Sequence, residues 1–197
     1  MTGAPGRPKD ARITGVILDA ALTELAENGF RGSSMDGIAR RAEVGKAALY
    51  RRWKSKSALV AAAMQTVSGT DAAVPDTGSL RGDVRELLDG VATWLGDRRT
   101  RRVYPDLLAE AQRDPALAGA LMEYIGAPRR RRGHAVLERA AARGEVSPVA
   151  DRELLLDALG ALVFWRLIAL NRPVSAEHLD QIADVIVLLA EGQPGIR

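Results

Sequence analysis

Residues 34–56, SMDGIARRAEVGKAALYRRWKSK, hold two short amphipathic patterns separated by only Glu43 and Val44. Ser34 precedes the first pattern, which has Asp36 in its first turn and Met35, Ile38, Ala39 and Ala42 along one face. That is the spacing of a helix opened by a hydroxyl cap. The second pattern, Gly45 to Trp53, turns Ala48, Leu49 and Trp53 inward and leaves Lys46, Ala47, Tyr50, Arg51 and Arg52 facing out. Helices joined by so short a connection cross steeply, which is helix-turn-helix geometry. The second helix then presents a basic, tyrosine-bearing face whose width fits a DNA major groove.

Two helices this short bury too little to stand alone, so the flanking sequence must support them. From Arg12 to Asn28, the residues Ile13, Ile17, Leu18, Ala20, Ala21, Leu22 and Leu25 keep the helical period. Asn28-Gly29 ends that helix, and Phe30 is expected to close a small three-helix core. After the second short helix, Ser55 is expected to cap a longer one running through Leu59, Val60, Ala63, Met64 and Val67 to Gly69. Charge follows the same division. Residues 1–60 hold 11 Lys/Arg against 6 Asp/Glu, whereas residues 61–197 hold 17 against 19. A basic excess at the end that carries the helix-turn-helix suits attraction to phosphate. Residues 1–11, rich in Gly, Pro and charge, are expected to form a flexible basic arm, with Arg7 a candidate for the minor groove.

Beyond a Gly/Pro/Asp/Thr loop at Thr70–Gly78, the apolar spacing stays helical to the end, and no strand-like alternation interrupts it. Ser79 or Asp83 opens a helix through Val84, Leu87, Leu88, Val91, Trp94 and Leu95 that is expected to end in Arg98, Arg99, Arg101 and Arg102. Pro105 is expected to start a short helix, and Pro115, after the cap Asp114, the next. Pro128 should kink or divide that helix, and Gly144 should end it. The arginines at 98–102 and 129–132 fit either solvated helix ends or the entrance to a site for an anion. From Arg152 to Asn171 apolar residues point all round the helix, and the final helix, Glu177–Leu189, has a broad apolar face. Such surfaces must be covered, which predicts a homodimer. Its expected interface is Leu155, Leu159, Leu162 and Val163 with Ile182, Val185, Ile186 and Leu189.

Several classes lose support. No apolar run reaches the ~18 residues that span a bilayer, and no secretory signal pattern is present, so a cytoplasmic protein without a membrane partner is expected. There is no cysteine, which excludes disulfides and thiolate metal sites. His134 and His178 lack neighbouring ligands, and no spacing supports catalysis or a cofactor. An enzyme is therefore not expected.

Within residues 12–60 a set of features occurs in order: Asn28-Gly29-Phe30, Ser33-Ser34-Met35, Ile38-Ala39, Ala42, Val44, Lys46, Leu49-Tyr50-Arg51-Arg52-Trp53 and Ser55-Lys56. In these residues the chain resembles the TetR family of transcriptional regulators; beyond residue 66 the likeness is one of helix number and order. The resemblance implies an all-α fold of about nine or ten helices. An N-terminal three-helix helix-turn-helix module (residues 12–66) precedes a C-terminal ligand-binding and dimerisation domain (residues 67–197). It implies a homodimeric regulator of double-stranded DNA, a repressor that leaves a palindromic operator when a small-molecule effector binds. The alternative is a helical small-molecule-binding or structural DNA-binding protein without effector switching. Carried over by position, Lys46, Ala47, Ala48, Tyr50, Arg51 and Arg52 match base and phosphate contacts, and Ser34 and Lys56 match phosphate contacts. Trp94, Tyr104, Leu108, Met122, Tyr124 and Phe164 are the candidate lining of an effector pocket. Two residues depart from the family pattern: Glu43 stands where the turn usually has Gly, and Gly45 where the recognition helix usually has a Ser cap.

Overall fold

The computed structural model describes residues 7–192. All regular structure among them is helical: α1 (Arg7–Gly32), α2 (Met35–Arg41), α3 (Lys46–Arg52), α4 (Lys56–Ser68), α5 (Leu80–Gly96), α6 (Arg98–Ala111), α7 (Pro115–Leu121), α8 (Ala127–Ala142), α9 (Arg152–Phe164) and α10 (Ala176–Ala190). Single π-helical turns, Met122–Gly126 and Trp165–Ala169, follow α7 and α9. Residues 7–11, expected in the arm, belong to α1, so the backbone of Arg7 is helical; residues 1–6 of that arm lie outside the described residues.

The chain folds into two units. One comprises the chain up to Val67 together with Arg98–Ile125; the other comprises Ser68–Asp97 and the chain from Gly126 onward. The boundary expected at residue 66 lies beside the first passage from one unit to the other. The chain crosses between units three times, after Val67, Asp97 and Ile125.

In the first unit α1 packs on α2 and α6, α2 on α3, and α6 on α7. Ile17, Ala21, Ile38, Leu49, Leu107 and Leu117 are fully enclosed. Burial of each large aliphatic side chain is worth about 1.5–3 kcal/mol, which is how seven-residue helices persist here. Gly29 breaks α1 at φ 67, the left-handed conformation that glycine adopts without Cβ strain. The freed turn is held from α6: the Asp106 carboxylate accepts the Phe30 N–H at 2.7 Å, and Glu110 pairs with Arg31 at 2.8 Å. Helix α6 begins at Arg98 and carries Pro105 in its interior, so Arg98–Arg102 form its first turns and Pro105 starts no helix. The break lies at Asp97, whose ψ of 137° leaves the helical region.

In the second unit α5 packs on α8, α9 and α10, and α9 on α8 and α10. Caps follow the sequence closely. Ser79, Asp151 and Ser175 each accept backbone N–H groups at the start of α5, α9 and α10, and Asp114 does so for α7 in the first unit. Pro128 sits at the start of α8 after the π turn, dividing the helix as its missing N–H requires. Of the arginines at 129–132, Arg131 is exposed and the other three are engaged within the unit. Arg129 donates to the Ser68 carbonyl at 2.7 Å, Arg132 to those of Gly69 and Ala73 at 3.1 and 3.0 Å, and Arg139 to that of Pro75. Together they clasp the loop before α5. Arg130 pairs with Glu153 and Asp157.

The apolar residues of α9 and α10 divide between two faces. Leu155, Val163, Ile182 and Ile186 are buried within the protomer and so are core residues of the single chain. Leu154, Leu162 and Trp165 on one helix, with Val185, Leu188 and Leu189 on the other, are exposed. Of the expected interface residues, Leu162, Val185 and Leu189 face outward, Leu159 is half-buried, and the other four are inside.

Candidate nucleic-acid interface

Ser34 opens α2, its Oγ accepting the Gly37 N–H at 3.0 Å. A Cβ on Gly37 would lie 2.7 Å from Glu24 Oε1 of α1, so glycine permits the close approach of α2. Glu24 is itself nearly buried and takes a hydrogen bond of 3.0 Å from Arg41 Nε, while Glu27 pairs with the same guanidinium. These bonds raise the Arg41 pKa above its ordinary value and lock the C-terminal end of α2 to the support helix.

The turn itself runs through Glu43 at φ 53. The left-handed backbone that the glycine of related turns would suit is thus occupied by a residue with a Cβ, at a cost of roughly 1 kcal/mol or more. Val44 N–H returns to the Ala39 carbonyl at 3.1 Å, and Gly45 then caps α3 through its backbone alone, with no side-chain cap bond.

Leu49, with no exposure, and Trp53 fasten α3 to the core. Outward from this anchor lie Lys46, Ala47, Tyr50 and Arg51, all exposed, with Tyr50 at 48%. Ala48 is half-buried behind them. Arg51 has no hydrogen-bond or ion-pair partner among the described residues. An uncommitted guanidinium and a phenol on one helical face can meet base edges and phosphates.

Two residues expected at this surface are used inside the protein. Arg52 donates from Nε to Thr14 Oγ1 at 3.1 Å and from one terminal nitrogen to the Ala48 carbonyl at 2.9 Å, bracing α3 against α1. Lys56 donates to the carbonyls of Phe30 and Ser33 at 2.7 and 3.1 Å, and its Nζ lies 4.0 Å from the centroid of the Phe30 ring. Partial burial lowers the pKa of this ammonium against the raising influence of Asp114 and Glu110. The Lys56 departure follows from the break at Gly29, which leaves the Phe30 and Ser33 carbonyls on a turn within its reach, whereas Arg52 is drawn to a hydroxyl of α1 and a carbonyl of its own helix.

Asp36, read from sequence only as a first-turn acid, forms an ion pair of 2.6 Å with Lys46. Lys54, just beyond α3, and Arg40 on α2 are exposed. The ten-residue separation of Asp36 and Lys46 carries no periodic signal because a turn intervenes.

The six candidate pocket residues do not fall in one unit. Tyr104, Leu108, Met122 and Tyr124 belong to the first; Trp94 and Phe164 belong to the second. Met122 is 57% exposed. Trp94 is buried, with the Arg129 guanidinium stacked 4.0 Å from its ring centroid. A surface cavity of about 620 Å³ in the second unit is lined by the ends of α5, α8 and α10. A small apolar gap of about 10 Å³ lies among Val84, Leu87, Val136, Leu137, Leu155 and Ile186; neither of these includes any of the six. No group of three or more potential metal ligands occurs among the described residues, and no described helix is long and apolar enough to cross a membrane.

A short basic helix held across a tight turn by a three-helix support is the DNA-reading module of a helix-turn-helix regulator. Residues 17–63 match the family described as bacterial regulatory proteins, tetR family, and residues 74–186 match the tetracyclin repressor-like C-terminal domain. The chain is 31% identical over 182 residues to the HTH-type transcriptional regulator YdeS of Bacillus subtilis, covering 92% of this chain and 91% of that one. It is 31% identical to a DNA-binding transcriptional repressor, TetR, of Mycobacteroides abscessus, covering 92% and 94% of the two chains. Its structure is similar to that of the TetR family transcription regulator SCO0332, with a TM-score of 0.72, 28% identity and coverage of 93% and 100%. The chain belongs to the TetR family of transcriptional regulators.

Proposed function

We propose that this regulator is a cytoplasmic repressor that binds a two-fold symmetric operator as a homodimer and leaves it when a small-molecule effector binds. The observation that carries the DNA-reading half of this proposal is the exposed face of α3, where Lys46, Ala47, Tyr50 and Arg51 stand clear of the core. Repression is supported by the 31% identical relative that is itself a repressor. Dimerisation is supported by the outward apolar faces of α9 and α10, which a monomer would leave in water. The effector is proposed to bind within the second unit, where Trp94 and Phe164 are the aromatic candidates for contact.

Selection of bound duplexes from a random DNA pool tests the reading. The expected product is a palindrome whose half-sites lie one helical turn, about 34–36 Å, or a multiple of it apart. Arg51→Ala and Tyr50→Ala should each lower the preference for that sequence over random DNA by about 5- to 150-fold, corresponding to roughly 1–3 kcal/mol per base contact. Failure to enrich any sequence, with equal affinity for all duplexes, would instead favour a structural DNA-binding protein.

A further inference from the structure

We propose that Asp36 sets the sequence-independent DNA affinity of this protein by acting through Lys46. The two side chains meet at 2.6 Å, one on α2 and one at the first position of α3, and both are substantially open to solvent. Their connection is closed by backbone bonds such as Val44 N–H to the Ala39 carbonyl, with Glu43 in a left-handed position and no side-chain cap from Gly45. The ion pair is the side-chain link across the mouth of this turn.

Its exposure sets its consequence. A pair in water is worth no more than about 1 kcal/mol, so DNA can open it, but only against a competing carboxylate. Contact with a phosphate is available on every duplex and supplies most sequence-independent affinity through counterion release. A Lys46 already neutralised by Asp36 gains less from any phosphate. Contacts by Tyr50 and Arg51, which have no such restraint, are untouched. Asp36 therefore lowers the sequence-independent part of binding, common to every duplex, and flattens its dependence on salt. This rests on the DNA-reading assignment of α3, but its test does not need the operator.

The experiment measures binding of the full-length protein to a random-sequence duplex between 0.05 and 0.2 M salt. Asp36→Asn should tighten that binding about fivefold at 0.15 M, the value of one additional counterion released, and steepen the salt slope by about 0.9. In a Lys46→Gln background the same substitution should change neither quantity. An equal gain in both backgrounds would overturn the proposal, because Asp36 would then act by direct repulsion alone. No gain in the Lys46 background would overturn it as well. Unfolding midpoints of all four proteins verify that the comparison is between folded chains. Absence of sequence preference in the unsubstituted protein would count against the regulator assignment, and leaves the Asp36–Lys46 test readable on random DNA.

Discussion

The Lys56 ammonium donates 2.7 Å to the carbonyl oxygen of Phe30 while lying 4.0 Å from the centroid of that residue's ring. Asp106 holds the N–H of the same residue, so both backbone groups of Phe30 are satisfied from outside α1, one by α4 and the other by α6. Replacing Lys56 with Met should keep most of the apolar stem, leave the Ser33 carbonyl without its donor and leave the Phe30 carbonyl with the Ser33 hydroxyl alone. The expected loss is about 1–2 kcal/mol in urea unfolding. The salt slope of DNA binding should equal that of the unsubstituted protein; a slope shallower by one unit would return Lys56 to the phosphate contacts.

Glu43→Gly should stabilise the first unit. Relief of the left-handed strain, roughly 1–2 kcal/mol, exceeds the ~0.4–1 kcal/mol by which glycine loosens the unfolded chain. A rise in the denaturation midpoint with unchanged dependence on denaturant is the expected signature. A fall would mean that the Glu43 side chain makes a compensating interaction.

For the C-terminal helices, Leu162→Glu together with Leu189→Glu should yield a folded monomer in sedimentation, since both residues are partly exposed on the single chain. Val163→Glu, one residue away, should instead unfold the second unit, because Val163 has no exposure and an unpaired carboxylate would enter the core. A dimer that survives the double substitution would place the contact elsewhere.

Acid should weaken the second unit through Glu145. Hydrogen bonding from Arg143 first, and from the Leu80 N–H, holds this carboxylate below its ordinary value of 4.5. Its contribution is complete above the unfolded pKa and is lost as the pH falls through the lower folded one. Glu145→Gln should therefore be less stable than the parent at pH 7 and show a shallower loss of stability below about pH 4.5. Parallel curves through that range would refute the linkage.

How far the sequence can be read depends on the range of the interactions. Met35, Ile38 and Ala39 were legible as the buried face of α2 because helical spacing is a local property, and Ser34 and Asp114 were legible as caps because a cap bonds within three residues. The outward positions of Lys46, Ala47, Tyr50 and Arg51 followed from the same periodicity. Arg52 fits that periodicity equally well and Lys56 matches the family pattern, yet their partners, Thr14 and Phe30, lie 38 and 26 residues away. Nor could spacing sort the residues of α9: when every side of a helix is apolar, Leu162 and Val163 look alike, and only the packing of α5 and α10 shows which is covered.

The order and caps of the helices, the helix-turn-helix and its basic face are written in local pattern, because backbone hydrogen bonds and amphipathic spacing act over three or four residues. Tertiary structure assigned α6 and α7 to the DNA-reading unit, turned Arg52 and Lys56 inward, clasped the loop before α5 with the arginines of α8, and set Asp36 against Lys46. Those outcomes depend on which unsatisfied carbonyl or unpaired charge comes within about 3 Å of a distant donor, a quantity that exists only once the chain has folded.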